Sequence, residues 1–199
     1  IGTFFLVLVF GFTGDPFAIG FTLMALVYMG SPISGAHYNP AVSVAFFLKR
    51  TLRVFDLIGY LSAQLLGGFL AAIVIYFLAN AVFYVEPPAT SNLYQQAFGE
   101  VAFTFIFVIV MLLFSLSASP RRSQLKGLIV GLTFTSMLMV STSISGGVLN
   151  PAISWGTAGL DYILGGNSYL NVLLYTLAPV AGGALAAFFL HFMHADLEG

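Results

Sequence analysis

The chain has 199 residues, of which 59% are hydrophobic and 7% charged, with a formal net charge of −1 and a mean hydropathy of +1.01. Soluble domains average about 25% charged residues, so a water-exposed surface of this composition would carry large apolar patches, and the expected solvent is lipid. A near-neutral balance argues against nucleic acid as a partner, and the absence of cysteine excludes disulfides and thiolate metal sites.

A spanning helix needs about 20 mostly apolar residues, and the apolar runs predict six spans. In chain order they are Ile1–Phe12, Phe17–Gly30 after the Asp15-Pro16 break, Leu57–Phe83, Phe98–Leu116, Leu125–Val140 and Leu170–Met193. Two stretches, Ser31–Leu48 and Ser141–Gly159, do not read as full spans. Each is rich in Gly and Ser, then carries Asn-Pro-Ala, then a short apolar segment. They predict re-entrant loops leading into half-helices, since irregular backbone at membrane depth survives only inside protein or beside a wet cavity. The expected fold is therefore an all-α membrane protein in one unit over 1–199, with six transmembrane helices and two half-helices.

The two stretches also form an internal repeat. Ile33-Ser34-Gly35 and Asn39-Pro40-Ala41-Val42-Ser43 align without gaps on Ile144-Ser145-Gly146 and Asn150-Pro151-Ala152-Ile153-Ser154, and the same offset pairs Gly20 with Gly131 and Thr22 with Thr133. Copies separated by three spans have opposite topology, which gives inverted halves of about 1–83 and 95–194. Such repeats with broken helices place a substrate path at their interface. All six basic residues fall at two places, read here as loops: Lys49, Arg50 and Arg53, then Arg121, Arg122 and Lys126. Six spans put both on one side, which the positive-inside rule makes cytoplasmic. Asp15, Glu86 and Asp161 are then expected in loops on the opposite side. Both termini are expected in the cytoplasm of a multi-pass protein of the cell membrane.

Proline starts helices well because its missing N–H is not needed in the first turn, and the preceding asparagine can cap with its side-chain oxygen. Asn39 and Asn150 are thus read as caps of two half-helices meeting head to head near the bilayer centre. Each terminus carries roughly half a positive charge. The pair repels cations and hydronium, while the amide N–H groups donate to a passing neutral oxygen.

Ser34-Gly35-Ala36-His37-Tyr38-Asn39-Pro40-Ala41-Val42, Gly2-Thr3-Phe4-Phe5-Leu6-Val7 and Glu100-Val101-Ala102-Phe103-Thr104 closely resemble segments of the major intrinsic proteins, the aquaporins and aquaglyceroporins. The resemblance covers nearly the whole chain. It implies passive transport of water or small neutral solutes, no cofactor, and a homotetramer in the bilayer with one pore per subunit. In the family a glutamate precedes the first-span Gly-Thr, so the natural start is expected before Ile1. Glu100 matches the glutamate that braces the re-entrant loop through backbone hydrogen bonds. It is not read as a catalytic acid, because no partner acid or nucleophile accompanies it.

The sequence departs from the family at the outer filter. Most members follow the second Asn-Pro-Ala with arginine, where this chain has Ile153. The remaining filter positions fall on Ile19, Leu138 and Gly147, so the candidate filter is apolar apart from backbone carbonyls. Three readings stand: a wide apolar filter for glycerol-like solutes, a hydrophobic constriction that gates by dewetting, or a register displaced by one turn. Ser154 stands where glycerol channels usually carry aspartate, which points toward water channels instead. Cation exclusion is then expected to rest on Asn39, Asn150 and the helix dipoles.

His37 is read as bracing its loop ahead of acting as a gate or pH sensor, and His191 with His194 as a solvated pair ahead of a metal site. Gly67, Gly68, Gly182 and Gly183 read as close-packing positions between helices. A secondary transporter is the first alternative, disfavoured because such proteins carry several ionisable residues at mid-membrane and here Glu100 stands nearly alone. A non-conducting scaffold is the second. An enzyme is the weakest reading, with no nucleophile–base pair, metal cluster or phosphate loop.

Overall fold

The computed structural model describes residues 1–195, with side chains through 193. Among the described residues every regular element is helical. These are α1 (Gly2–Thr13), α2 (Pro16–Ser34), α3 (Pro40–Leu48), α4 (Val54–Ala79), α5 (Leu93–Ser115), α6 (Pro120–Ser145), α7 (Pro151–Ile163), a 3₁₀ turn (Ser168–Asn171) and α8 (Leu174–Ala195). The helices α2, α4, α5 and α6, and the segment Ser168–Met193 that includes α8, are long and apolar enough to cross a membrane, and α1 is a shorter apolar helix. The half-helices α3 and α7 complete the all-α membrane fold expected from the repeat.

Local chemistry sets the helix starts. Asp15 caps α2 by accepting from the Phe17 N–H at 2.9 Å, with Pro16 in the first turn. Asn92 and Gln95 form a reciprocal capping box at α5. α2, α5 and α6 are longer than the apolar runs that announce them, while α4 and α8 are not. α2 continues past Gly30 to Ser34, and α6 continues past Val140 to Ser145. Their hydroxyls bond back to carbonyls one turn earlier, as Thr142 Oγ1 does to the Leu138 carbonyl at 2.6 Å and Ser34 Oγ to the Gly30 carbonyl at 3.5 Å. A serine satisfied within its own helix costs little in lipid, so these Ser-rich tails stay helical. Within the two repeated stretches only 35–39 and 146–150 remain irregular, each opening with a left-handed glycine, Gly35 at φ 68° and Gly146 at φ 90°.

Several charged residues sit in helices where loops were expected. Pro120 starts α6 early, so Arg121, Arg122 and Lys126 all lie within it. Asp161 lies in the last turn of α7 and accepts from the Ser168 N–H at 2.9 Å. Arg53 precedes α4 and pairs with Asp56 across one turn at 2.8 Å.

The two halves interlock through glycines. A methyl on Gly68 would overlap the Ala152 carbonyl of α7, and one on Gly183 would lie 2.6 Å from the Ala41 carbonyl of α3. Gly67 meets α1 at Phe4, and Gly182 meets α5 at Val101. Each long helix, α4 or α8, thus packs on the first span of its own half and the half-helix of the other. Buried aliphatic and aromatic side chains from Leu6 to Leu190 make one continuous core, while Phe55, Phe77, Leu78, Tyr94 and Phe98 face outward, where lipid is the solvent.

Candidate functional site

Asn39 and Asn150 cap α3 and α7 with their side-chain oxygens, accepting from the Ala41 N–H at 2.9 Å and the Ala152 N–H at 3.0 Å. Pro40 and Pro151 occupy the first helical position behind them. The amide nitrogens then cross between the halves. Asn39 donates to the Leu149 carbonyl at 2.7 Å, and Asn150 donates to the Tyr38 carbonyl at 3.2 Å. Each asparagine therefore binds the residue just before the other. One N–H of each amide is held in this exchange, leaving a second available to a solute. Both half-helices present their positive ends at this point.

A narrow cavity begins at the asparagine pair and runs toward the end of the molecule where the basic residues lie. Leu6, Leu23, Val27, Val42, Met111 and Val130 wall it, and Asn39, Asn150 and Tyr38 are its polar members. The Tyr38 ring is tethered through its hydroxyl to the Leu26 carbonyl at 2.9 Å. The lumen is thus apolar around its circumference, with polar groups concentrated at one station.

On the other side of the asparagines lie the candidate filter residues. Ile19 and Leu138 are each 1% exposed and Ile153 is 0% exposed, and all three belong to the same continuous apolar cluster. Gly147 is left-handed at φ 66°, and its Cα faces the Thr142 and Ser141 hydroxyls of α6. All three aliphatic side chains are thus buried in the apolar core, and Gly147 lies against α6.

Glu100 is fully buried on α5 and accepts three hydrogen bonds from the end of α6 and the second irregular segment: Ser145 Oγ at 2.7 Å, the Val148 N–H at 3.1 Å and the Leu149 N–H at 2.8 Å. Charged acceptors make strong hydrogen bonds, so one carboxylate holds the backbone that presents the Leu149 carbonyl to Asn39. His37 is buried between aromatic rings, 4.2 Å from Phe46 and 4.9 Å from Tyr60 between ring centroids, and its Nδ1 has no hydrogen-bond partner. Its backbone carbonyl, rather than its ring, is tied to the scaffold. His191 is exposed at the end of α8, and the His194 side chain lies outside the described residues.

Two braces escaped the sequence reading. Gln64 donates to the His37 carbonyl at 2.7 Å and to Ser43 Oγ at 2.8 Å. The Tyr175 hydroxyl donates to the Ser145 carbonyl at 2.7 Å. The signal for Gln64 was present: an amide in the middle of an apolar span needs a partner. Tyr175 gave none, since a tyrosine near a span end reads equally well as an interfacial anchor.

The chain is 32% identical, over 94% of its length and 92% of the relative's, to the glycerol uptake facilitator protein-like 6 of Lactiplantibacillus plantarum. It is 30% identical to aquaporin Z of Photorhabdus laumondii, over 74% of this chain and 69% of that one. The crystal structure of the aquaglyceroporin from Plasmodium falciparum superimposes with a TM-score of 0.78 at 23% identity, covering 94% of this chain and 90% of that chain, a likeness of fold. Residues 6–190 match the family profile described as "Major intrinsic protein". That match runs from α1 into α8 and takes in both asparagine turns, so the chain belongs to the major intrinsic protein family.

Proposed function

We propose that this protein is a passive transmembrane channel for water and small uncharged solutes of the glycerol class. The reading is carried by the reciprocal asparagine pair, which offers hydrogen-bond donors at a single station of an otherwise apolar lumen. A neutral molecule can exchange its hydration for those donors, while a cation meets two positive helix ends and no compensating carboxylate. The names of the curated relatives, a glycerol uptake facilitator and an aquaporin, support the same solute class.

The aliphatic set of Ile19, Leu138 and Ile153 favours solutes that carry a hydrocarbon face. We assign it the role of selectivity filter, in the form of a hydrophobic constriction, with Gly147 contributing backbone. Glu100 is assigned to hold the second loop, and His37 to fill the space behind the first. The whole chain acts as one channel unit, and by family likeness four copies assemble in the cell membrane with both termini in the cytoplasm.

Stopped-flow light scattering on proteoliposomes tests this. Under a sucrose gradient, shrinkage faster than in empty vesicles is expected, and under a glycerol gradient a rapid re-swelling phase. Rates equal to those of empty vesicles for both solutes overturn the reading. Crosslinking in the membrane tests the assembly, with a four-subunit ladder expected.

A further inference from the structure

Resting on the channel reading above, we propose that Lys126 is a cation-rejecting element at the inner mouth of the pore. Lys126 is 8% exposed, although it is a lysine, and its ammonium donates to the Gly35 carbonyl at 3.2 Å. Gly35 immediately precedes Ala36, which lines the lumen beside Asn39. Lys126 also lines a second cavity together with Ser31, Ser115 and Ser123, and Val27 belongs to the walls of both cavities. A solute leaving the asparagine station toward the basic end therefore passes the ammonium.

Among the described residues the recorded ion pair is Arg53 with Asp56, and neither cavity has a carboxylate in its wall. The elements facing Lys126 bring hydroxyls, a carbonyl and the neighbouring His37, while Arg121 and Arg122 one turn earlier on α6 add charge of the same sign. Among the described residues no carboxylate is thus recorded against Lys126, whose charge lies beside a narrow, low-dielectric passage where screening by salt is weak. The side chains assigned to the outer filter are wholly aliphatic, so this fixed charge makes the pore electrostatically lopsided. Neutral solutes are little affected by it, and cations entering from the inner side are repelled.

A simpler role is structural, with the ammonium capping the carbonyl end of α2. Lys126→Gln separates the two, because an amide keeps an N–H for Gly35 and loses the charge. The experiment measures potassium and glycerol permeability of proteoliposomes in an Asn150→Asp background, where the central barrier is weakened and the inner mouth becomes limiting. Adding Lys126→Gln is expected to raise the potassium-to-glycerol ratio about tenfold, and Lys126→Arg to leave it within about twofold. An unchanged ratio with Lys126→Gln, while glycerol still passes, overturns the proposal, as does an equal leak through Lys126→Arg. If the background does not fold, the same ratio for Lys126→Glu alone decides, with a rise expected and no change overturning it. Wild-type vesicles that pass neither water nor glycerol refute the channel reading itself, a result separate from these.

Discussion

Gly20 and Gly131 face each other where α2 crosses α6. A methyl on Gly20 would lie 2.9 Å from the Gly131 carbonyl, and a methyl on Gly131 would lie 2.7 Å from the Gly20 carbonyl. These are the residues that the internal repeat pairs, so the repeat is written into the contact itself. The same relation governs Asn39 and Asn150, each bonded to the residue before the other. Two reciprocal approaches, one between spans and one between half-helices, thus join the halves.

Widening that crossing is expected to be costly. Gly131→Leu forces α2 and α6 apart against backbone that cannot rotate away, and overpacking of this kind costs about 1–3 kcal/mol or more. The variant is expected to show a lower midpoint of thermal unfolding in detergent. A midpoint equal to wild type would mean that the crossing is looser than described.

The asparagine pair is expected to control charge. Asn150→Asp removes the donor to the Tyr38 carbonyl and places a carboxylate at the positive ends of two half-helices. Potassium or proton leak is expected to rise at least severalfold in proteoliposomes, with glycerol flux reduced. An unchanged leak contradicts the view that the half-helix termini exclude cations.

Glu100 supports function through the backbone it holds. Glu100→Ala leaves the Val148 and Leu149 N–H groups without an acceptor in a dry site, and each unsatisfied group costs about 1–3 kcal/mol. Loss of folded protein or a strongly lowered unfolding midpoint is expected. Glu100→Gln retains one acceptor oxygen but turns an NH₂ toward the donors, and an intermediate midpoint is expected. Equal midpoints for all three proteins would remove the carboxylate from the bracing role.

The aliphatic filter set is expected to limit flux. Ile153→Ala removes a side chain with 0% exposure, at a stability cost of about 2–4 kcal/mol. If Ile153 narrows the pore, glycerol permeability per folded channel rises severalfold, and water permeability rises with it. A decrease or no change would place the limiting constriction elsewhere, with the asparagine station the next position to test.

Much of this architecture was legible in the chain. Runs of apolar residues long enough to span a bilayer have few other uses, so the spans were readable from Phe17 to Met193. Asn-Pro-Ala is a helix start for local reasons, a capping oxygen and a missing N–H, and those reasons act wherever the segment folds. The ends of α2 and α6 are hard to read because Ser34 and Thr142 look polar in a sequence, and only a helix lets their hydroxyls bond back to carbonyls one turn earlier. Lys126 was misjudged as a loop residue because Arg121 and Arg122 stand close before it, while Pro120 already starts the helix.

By itself the sequence determined the membrane as solvent, the two inverted halves and the two capping asparagines, because hydropathy, repetition and helix-start chemistry are local properties of the chain. Only the tertiary structure decided which carbonyl each asparagine reaches, that Gln64 and Tyr175 brace the loops, that Ile19, Leu138 and Ile153 are all buried in one apolar core, and that Lys126 is buried with its ammonium on the Gly35 carbonyl. These depend on residues as far as 112 positions apart meeting at a few ångströms, and hydrogen bonds and steric contact act only at that range.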